Sequence, residues 1–280
     1  MNIGLTGASG FIGRHLTRSL QAESDSIRPI SLRTPARPQD LAGCEAVIHL
    51  AGEPVAQRWT KSAKRRILES RETGTRSLID AMRQQPPRVL VSASGVGYYG
   101  SRGDDLLTEH ASAGNDFLAE VCVAWEREAR EAEKLGVRVV PLRIGMVLGP
   151  GGGALARMLL PFRLGLGGRI GSGRQWMAWI HIEDLCGLIQ FALRESGVTS
   201  VLNATSPNPV RNSEFTLALA EAVGRPAVFP VPVLGLKMLF GEMSEVLLAS
   251  QRAVPEAALH AGFTFKYERI DSALQAVIGA

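Results

Sequence analysis

The chain has 280 residues, of which 45% are hydrophobic and 21% charged, and it carries a net charge of +4. That length suits one large α/β domain, or one domain with a small appendage, around a sizeable core. No run of about 18 apolar residues is present to span a membrane, and the N-terminus enters a strand with no basic leader or cleavage site, so neither a secretory signal nor a membrane partner is expected.

In chain order, Met1–Thr6 is a short apolar run. Gly7-Ala8-Ser9-Gly10-Phe11-Ile12-Gly13 follows at once, and an amphipathic stretch begins at Arg14. Strand, glycine turn and helix in succession are the context that makes a glycine triplet informative. Gly7 permits the tight turn, Gly10 lets the backbone approach a pyrophosphate, and Gly13 lets the helix pack on the strand. The helix N-terminus then aims free N–H groups at the phosphates. Residues 27–32 read as a second strand. Residues 33–45, with Pro35 and Pro38, read as a loop with one helical turn in place of a full helix-strand unit. Residues 46–50 and 88–92 read as buried strands. Residues 62–82 have helical spacing, 115–135 form a long helix ended by Gly136, and 137–142 a further strand. This alternation predicts an α/β fold, a doubly wound parallel Rossmann sheet with helices on both faces.

After Pro150 the pattern changes. Glycines crowd residues 151–173, which predicts an irregular segment wrapped around a cleft. Strands near 178–182 and 201–204 and helices over 183–193, 212–223 and 233–240 follow. The expected division is a Rossmann domain over 1–150 and a substrate-side lid with a small C-terminal region over 151–280, whose strands and helices partly re-enter the first domain. Cys44, Cys122 and Cys186 are far apart and form no CxxC pair, as expected of reduced thiols in a cytoplasmic protein rather than a disulfide or metal set. The basic residues from Lys61 to Arg71 read as a solvated helix face or, alternatively, as a face from which one or two arginines reach an anionic cofactor. Without interleaved aromatics they do not suggest nucleic acid. The oligomeric state stays open, a homodimer being one option.

In this architecture the end of the second strand meets the adenosine ribose. A carboxylate there favours NAD, and an arginine accommodates the 2′-phosphate of NADP. Here Ser31-Leu32-Arg33 fills the position, with Arg37 nearby and no carboxylate before Asp40, so NADP(H) is the expected cofactor.

Thr6 to Gly13 resembles the signature of the extended short-chain dehydrogenase/reductases. The wider chain resembles an atypical, epimerase-like branch of that superfamily. Residues 49–54 (HLAGEP), Ser70-Arg71, Gly97-Tyr98-Tyr99-Gly100, Trp125-Glu126, 161–173 (PFRLGLGGRIGSG), 179–185 (WIHIEDL) and 247–252 (LLASQR) carry this likeness. The resemblance implies that Gly7, Gly10, Phe11, Ile12 and Gly13 hold the pyrophosphate and that Arg33 meets the 2′-phosphate. It places Leu50, Ala51, Gly52 and Glu53 along the adenosine and ribose, brings Arg71 to the phosphates or ribose, and sets Ile144 and Val147 beside the nicotinamide.

The superfamily's Ser/Thr, Tyr and Lys set is incomplete. Counting back from Trp125-Glu126, the Tyr and Lys positions fall on Leu118 and Cys122, and no Tyr-x-x-x-Lys occurs in the chain. Leucine has no proton to give, and a thiol supplies no fixed positive charge. The Ser position falls on Gly95 or, with a one-residue insertion, on Ser94. Met146 stands where the epimerases often place a substrate-binding Asn. Ser94, Tyr99 and His181 are the remaining catalytic candidates, against plainer roles for Tyr99 in packing and for His181 as a satisfied core histidine. Tyr98, Glu109, Asp116, Gln175 and Trp176 are further polar candidates, the two acids doubling as helix caps. Two functions remain: an NADP(H)-dependent oxidoreductase or epimerase-like enzyme acting on an unknown small carbonyl or alcohol, and a non-catalytic NADPH-binding sensor or scaffold.

Overall fold

The computed structural model describes residues 1–279. The chain runs through β1 (Asn2–Thr6), α1 (Phe11–Ala22), β2 (Ser26–Ile30), β3 (Ala46–His49), α2 (Lys61–Met82), β4 (Val89–Gly95), β5 (Leu106–Leu107), α3 (Phe117–Arg130), β6 (Arg138–Ile144) and β7 (Met146–Leu148). It continues through α4 (Gly153–Arg163), β8 (Trp176–Met177), β9 (Trp179–His181), α5 (Ile182–Arg194), β10 (Leu202–Ala204), β11 (Val210–Arg211) and α6 (Asn212–Val223). Last come α7 (Val233–Phe240), α8 (Ser244–Leu248), β12 (Arg252–Ala253), α9 (Glu256–His260) and α10 (Ile270–Ile278). Six strands form one parallel sheet in the order β10-β6-β4-β3-β1-β2.

Alternate residues of each central strand serve opposite faces, as strand geometry requires. Ile48, Val91 and Val140 pack with Leu16 and Leu20 of α1 and Leu185, Leu188 and Ile189 of α5. Val47, Leu90 and Val139 pack with Leu78 and Met82 of α2 and Ala129 of α3. Both faces are therefore covered, which explains why these strands read as continuous apolar runs. The shortened unit after β2 holds a single 3-10 turn, Pro38–Leu41. The helix expected to run to Leu135 breaks into α3 and a 3-10 turn, Glu131–Leu135, closed by Gly136 in the left-handed region.

One feature differs from the sequence reading. The glycine-crowded segment contains a true helix, α4, between Gly151 and Gly165, both at positive φ. The glycines mark its ends, while residues 154–160 (ALARMLL) are good helix formers. Beyond residue 150 the chain returns to the sheet: α5 lies on it beside α1, and β10 is an edge strand paired with β6. A separate core gathers Leu155 and Phe162 of α4, Trp179 of β9, Phe215 and Leu219 of α6, and Leu274 and Val277 of α10. Among the described residues no helix is long and apolar enough to cross a membrane.

Candidate functional site

The glycine turn has the geometry the motif demands. Gly7 sits at φ +72°, and the Gly10 N–H donates to the Gly7 carbonyl at 2.9 Å. A Cβ on Gly13 would come within 2.2 Å of the Gly7 carbonyl oxygen, so α1 reaches β1 only because residue 13 has no side chain. No side chain caps α1, and its first turn contains no acid. Its leading N–H groups, on Phe11, Ile12 and Gly13, therefore face outward with the positive end of the helix dipole, a cradle suited to a pyrophosphate.

A buried polar chain braces this turn. Thr6 Oγ1 accepts from the Leu50 and Ala51 N–H groups, both at 3.1 Å, and lies 2.7 Å from His49 Nδ1. With its acceptor sites filled, the hydroxyl donates its proton to Nδ1. His49 then carries its own proton on Nε2 and donates it to Thr75 Oγ1 at 2.9 Å. Burial, with the nearby Arg71 charge, pushes His49 down to about 3, so the ring is neutral. Thr6, His49 and Thr75 thus tie β1, β3 and α2 together beneath the loop Leu50–Glu53. Sequence reasoning assigned this bracing to none of the three.

Arg71 sits beneath that loop. Its Nη1 donates to the carbonyls of Glu53 at 3.0 Å and Ile67 at 3.1 Å, and its guanidinium stacks over Trp125 at 4.7 Å. A Cβ on Gly52 would lie 2.9 Å from Arg71 Cζ, which explains the glycine. The hydrogen bonds of Arg71 all leave from Nη1 and go to α2 and the loop it clamps. The Glu53 carboxylate is likewise engaged, accepting from Gln57 Nε2 and Arg66 Nε, and these bonds hold it below the usual carboxylate range. At the end of β2, Arg33 is exposed and, among the described residues, has no ion pair, whereas Arg37 is bound to Asp40. Ile144 ends β6 half-buried, and Val147 lies in the sheet core with Ile180 and Ile182.

Where the superfamily keeps its proton-transfer set, this chain has an interior charge network. Ser94 Oγ donates to Glu126 Oε1 at 2.8 Å. Arg143 grips the same carboxylate through Nε to Oε1 at 2.9 Å and Nη2 to Oε2 at 3.0 Å. Its Nη1 donates to Tyr99 OH at 3.0 Å, and Tyr99 OH donates to Asn203 Oδ1 at 2.7 Å. Burial works against the Arg143 charge, but the Glu126 hydrogen bonds and charge more than offset it and hold the guanidinium protonated. Tyr98 lays its ring against that guanidinium, 3.4 Å away. Leu118 packs on Gly97, and burial raises the Cys122 thiol to about 11.

Each of the three catalytic candidates has a hydrogen-bond partner within the protein. Tyr99 is fully buried and pushed up to about 12, chiefly by burial; its proton is committed to Asn203. Ser94 is bound to Glu126. His181 caps α5: its Nδ1 accepts from the Glu183 N–H at 3.2 Å, its ring stacks on Tyr267 at 3.8 Å, and burial lowers it to about 4. Of the further candidates, Asp116 caps α3 by accepting from the Ala119 N–H, and Glu109 accepts from the Asn203 and Ala257 N–H groups. Trp176 donates to Asp104 between the guanidinium groups of Arg211 and Arg252, and Gln175 donates to the Ile170 and Leu247 carbonyls. One signal for the network was readable: an arginine inside the buried run 138–144 (RVVPLRI) requires a carboxylate partner.

A glycine-turned, uncapped helix at the edge of a doubly wound parallel sheet defines a Rossmann-type nucleotide-binding protein of the short-chain dehydrogenase/reductase kind. The comparisons agree. Residues 3–204 match the model of the NAD dependent epimerase/dehydratase family and residues 231–277 a domain of unknown function, DUF1731. The chain belongs to the NAD dependent epimerase/dehydratase family. It is 40% identical, over 99% of its length and 87% of the relative's, to "Epimerase family protein SDR39U1 homolog, chloroplastic" of Arabidopsis thaliana. The crystal structure of human epimerase family protein SDR39U1 (isoform2) with NADPH superposes with a TM-score of 0.91 at 34% identity, covering 100% of this chain and 99% of the human one. A nucleoside-diphosphate sugar epimerase from Corynebacterium glutamicum superposes at 0.83 and 32% identity, covering 100% of this chain and 58% of that one.

Proposed function

We propose that the chain binds NADP(H) and acts as an oxidoreductase or epimerase-like enzyme on a small carbonyl or alcohol, without the Tyr–Lys pair. The observation that carries the cofactor reading is the carboxylate-free, uncapped start of α1 behind the Gly7–Gly13 turn, together with the exposed Arg33 just past β2, which has no ion pair among the described residues. The N–H groups of Phe11, Ile12 and Gly13 would hold the pyrophosphate, the loop Leu50–Glu53 would line the adenosine side, and Arg33 would fork the 2′-phosphate. The human relative whose structure contains NADPH supports the same choice. A bound nicotinamide supplies hydride chemistry. At the Tyr and Lys positions the protein would present Leu118 and the neutral Cys122 thiol, which offer no proton, so solvent must reach the reacting oxygen. Substrates that suit it are those whose oxygen takes its proton from water, at a cost of roughly 10²–10⁴ in rate against a positioned acid.

Calorimetry tests the cofactor reading. NADPH should bind more tightly than NADH, and Arg33→Ala should weaken NADPH roughly 10–100-fold, the value of charge-assisted hydrogen bonds, while leaving NADH unchanged. Equal affinity for both dinucleotides, or tighter NADH, overturns it. The sensor reading keeps one observation in its favour, the internal engagement of Ser94, Tyr99 and His181. NADPH consumption in a carbonyl library decides for the enzyme; tight NADPH binding with no consumption anywhere in the library decides for the sensor.

A further inference from the structure

Two stretches of the lid, 151–182 and 222–241, contain Arg157, Arg163, Arg169, Arg174, Arg225 and Lys237 and not one Asp or Glu. All six cations are exposed, and among the described residues none has an ion pair. The same stretches make up less than a fifth of the chain, yet hold eight of the fourteen large apolar side chains that the described residues leave exposed. Leu160, Leu164 and Leu166 come from the end of α4 and the turn after it, and Phe229, Leu234 and Met238 from α7 and its approach. Each is 58–68% exposed.

The two stretches meet along their backbones. Ile170 bridges Val231, the Val231 N–H donates to the Arg169 carbonyl at 2.8 Å, and the Gly171 N–H donates to the Val231 carbonyl at 3.0 Å. Gly168 lies so close to the Phe229 carbonyl that no Cβ would fit between them. On α7, Leu234, Lys237 and Met238 share the exposed helix face at i, i+3 and i+4.

Apolar side chains side by side with unneutralised cations need a partner that supplies both anionic charge and an apolar layer. A second copy supplies the apolar layer but repeats the positive charge. An anionic bilayer supplies both, taking leucine, phenylalanine and methionine into the headgroup boundary while the arginines and lysine meet lipid phosphates. We propose that this surface docks the protein on membranes containing anionic phospholipid, with the end of α4 and α7 lying in the headgroup layer. The earlier expectation of no membrane partner rested on the lack of a spanning segment, and interfacial docking needs none. Gly152, the N-cap of α4, lies against the Phe11 ring beside the glycine turn, so docking by the far end of α4 sets the glycine turn one helix length, roughly 16 Å, from the headgroup layer.

The test is sedimentation of the full chain with vesicles of phosphatidylcholine alone and of phosphatidylcholine mixed equally with phosphatidylglycerol. Binding to the mixed vesicles should exceed binding to the neutral ones at least tenfold, and charge reversal at Arg163→Glu, Arg169→Glu and Lys237→Glu together should weaken it roughly a hundredfold. A second variant, Leu164→Ser, Leu234→Ser and Met238→Ser together, should weaken it comparably at unchanged charge, while the circular-dichroism melt and NADPH affinity stay those of the parent. No sedimentation with either vesicle, equal sedimentation with both, or loss on charge reversal alone overturns the proposal. So does light scattering that shows a dimer which the serine variant splits, with no vesicle binding by the parent.

Discussion

Replacing His181 with asparagine separates its role as a structural cap from any role in proton transfer. The imidazole caps α5 only while Nδ1 is bare, because a protonated ring would set an N–H against the Glu183 N–H. In the folded chain burial lowers this histidine to about 4 from the ordinary 6.5. Below pH 6.5 the unfolded chain takes up a proton that the folded chain refuses. The contribution to stability is whole above 6.5 and drains by about 1.4 kcal/mol per pH unit until the folded ring titrates. Between pH 7 and pH 5 the loss from this one residue is about 2 kcal/mol. Asparagine keeps an N-cap acceptor and does not titrate. His49, also held neutral, is lowered to about 3 by burial; it drains in the same direction in both proteins and cancels. Urea unfolding followed by tryptophan fluorescence at several pH values should therefore show the stability difference moving toward the variant by about 2 kcal/mol from pH 7 to pH 5, equivalent to roughly 4–8 °C in Tm for a chain of this size. A difference that does not change with pH would refute the reading of His181 as a neutral cap.

Glu126→Gln should destabilise by about 3–5 kcal/mol, because it leaves the buried Arg143 guanidinium without its counter-charge; pairing Glu126→Leu with Arg143→Met should recover much of that in the same urea titration. Gly13→Ala should abolish the calorimetric NADPH signal, since its Cβ has no space against the Gly7 carbonyl and must displace the turn. Cys122→Lys should lower stability by about 3 kcal/mol rather than restore catalysis, because the new ammonium would be fully buried near the Arg71 guanidinium, and the Glu126 carboxylate beside it is already paired with Arg143. Adding Arg71→Met should return part of the loss in a thermal melt.

The parts of this protein legible in its sequence are those where backbone geometry dictates residue type. Gly7 at positive φ and Gly13 against a carbonyl admit no other residue comfortably, so the nucleotide turn is written in the sequence directly. The same holds for strands buried on both faces, whose apolar runs follow from helices covering each side. α4 was hidden because the glycines that set its ends are more conspicuous than the helix formers between them. The side-chain chemistry was hidden for a different reason. Tyr99 meets Asn203 from 104 positions away, His181 meets Tyr267 across the lid, and Ser94 reaches Glu126 from a neighbouring element. Such pairings depend on how elements stack, and local pattern does not encode that. The Tyr-Lys pair was legibly missing; of the buried ion network the sequence showed only Arg143, not the partners that close it.

The position of β10 bears on how the chain comes to be folded. It pairs with β6 only after residues 202–204 exist, although the five other strands are complete by residue 144. On the ribosome β6 would therefore stand as an open sheet margin while nearly sixty more residues are made, with its backbone donors and acceptors available to any passing strand. Truncation before residue 200 would make that state permanent, and such fragments should aggregate even though the nucleotide turn is intact.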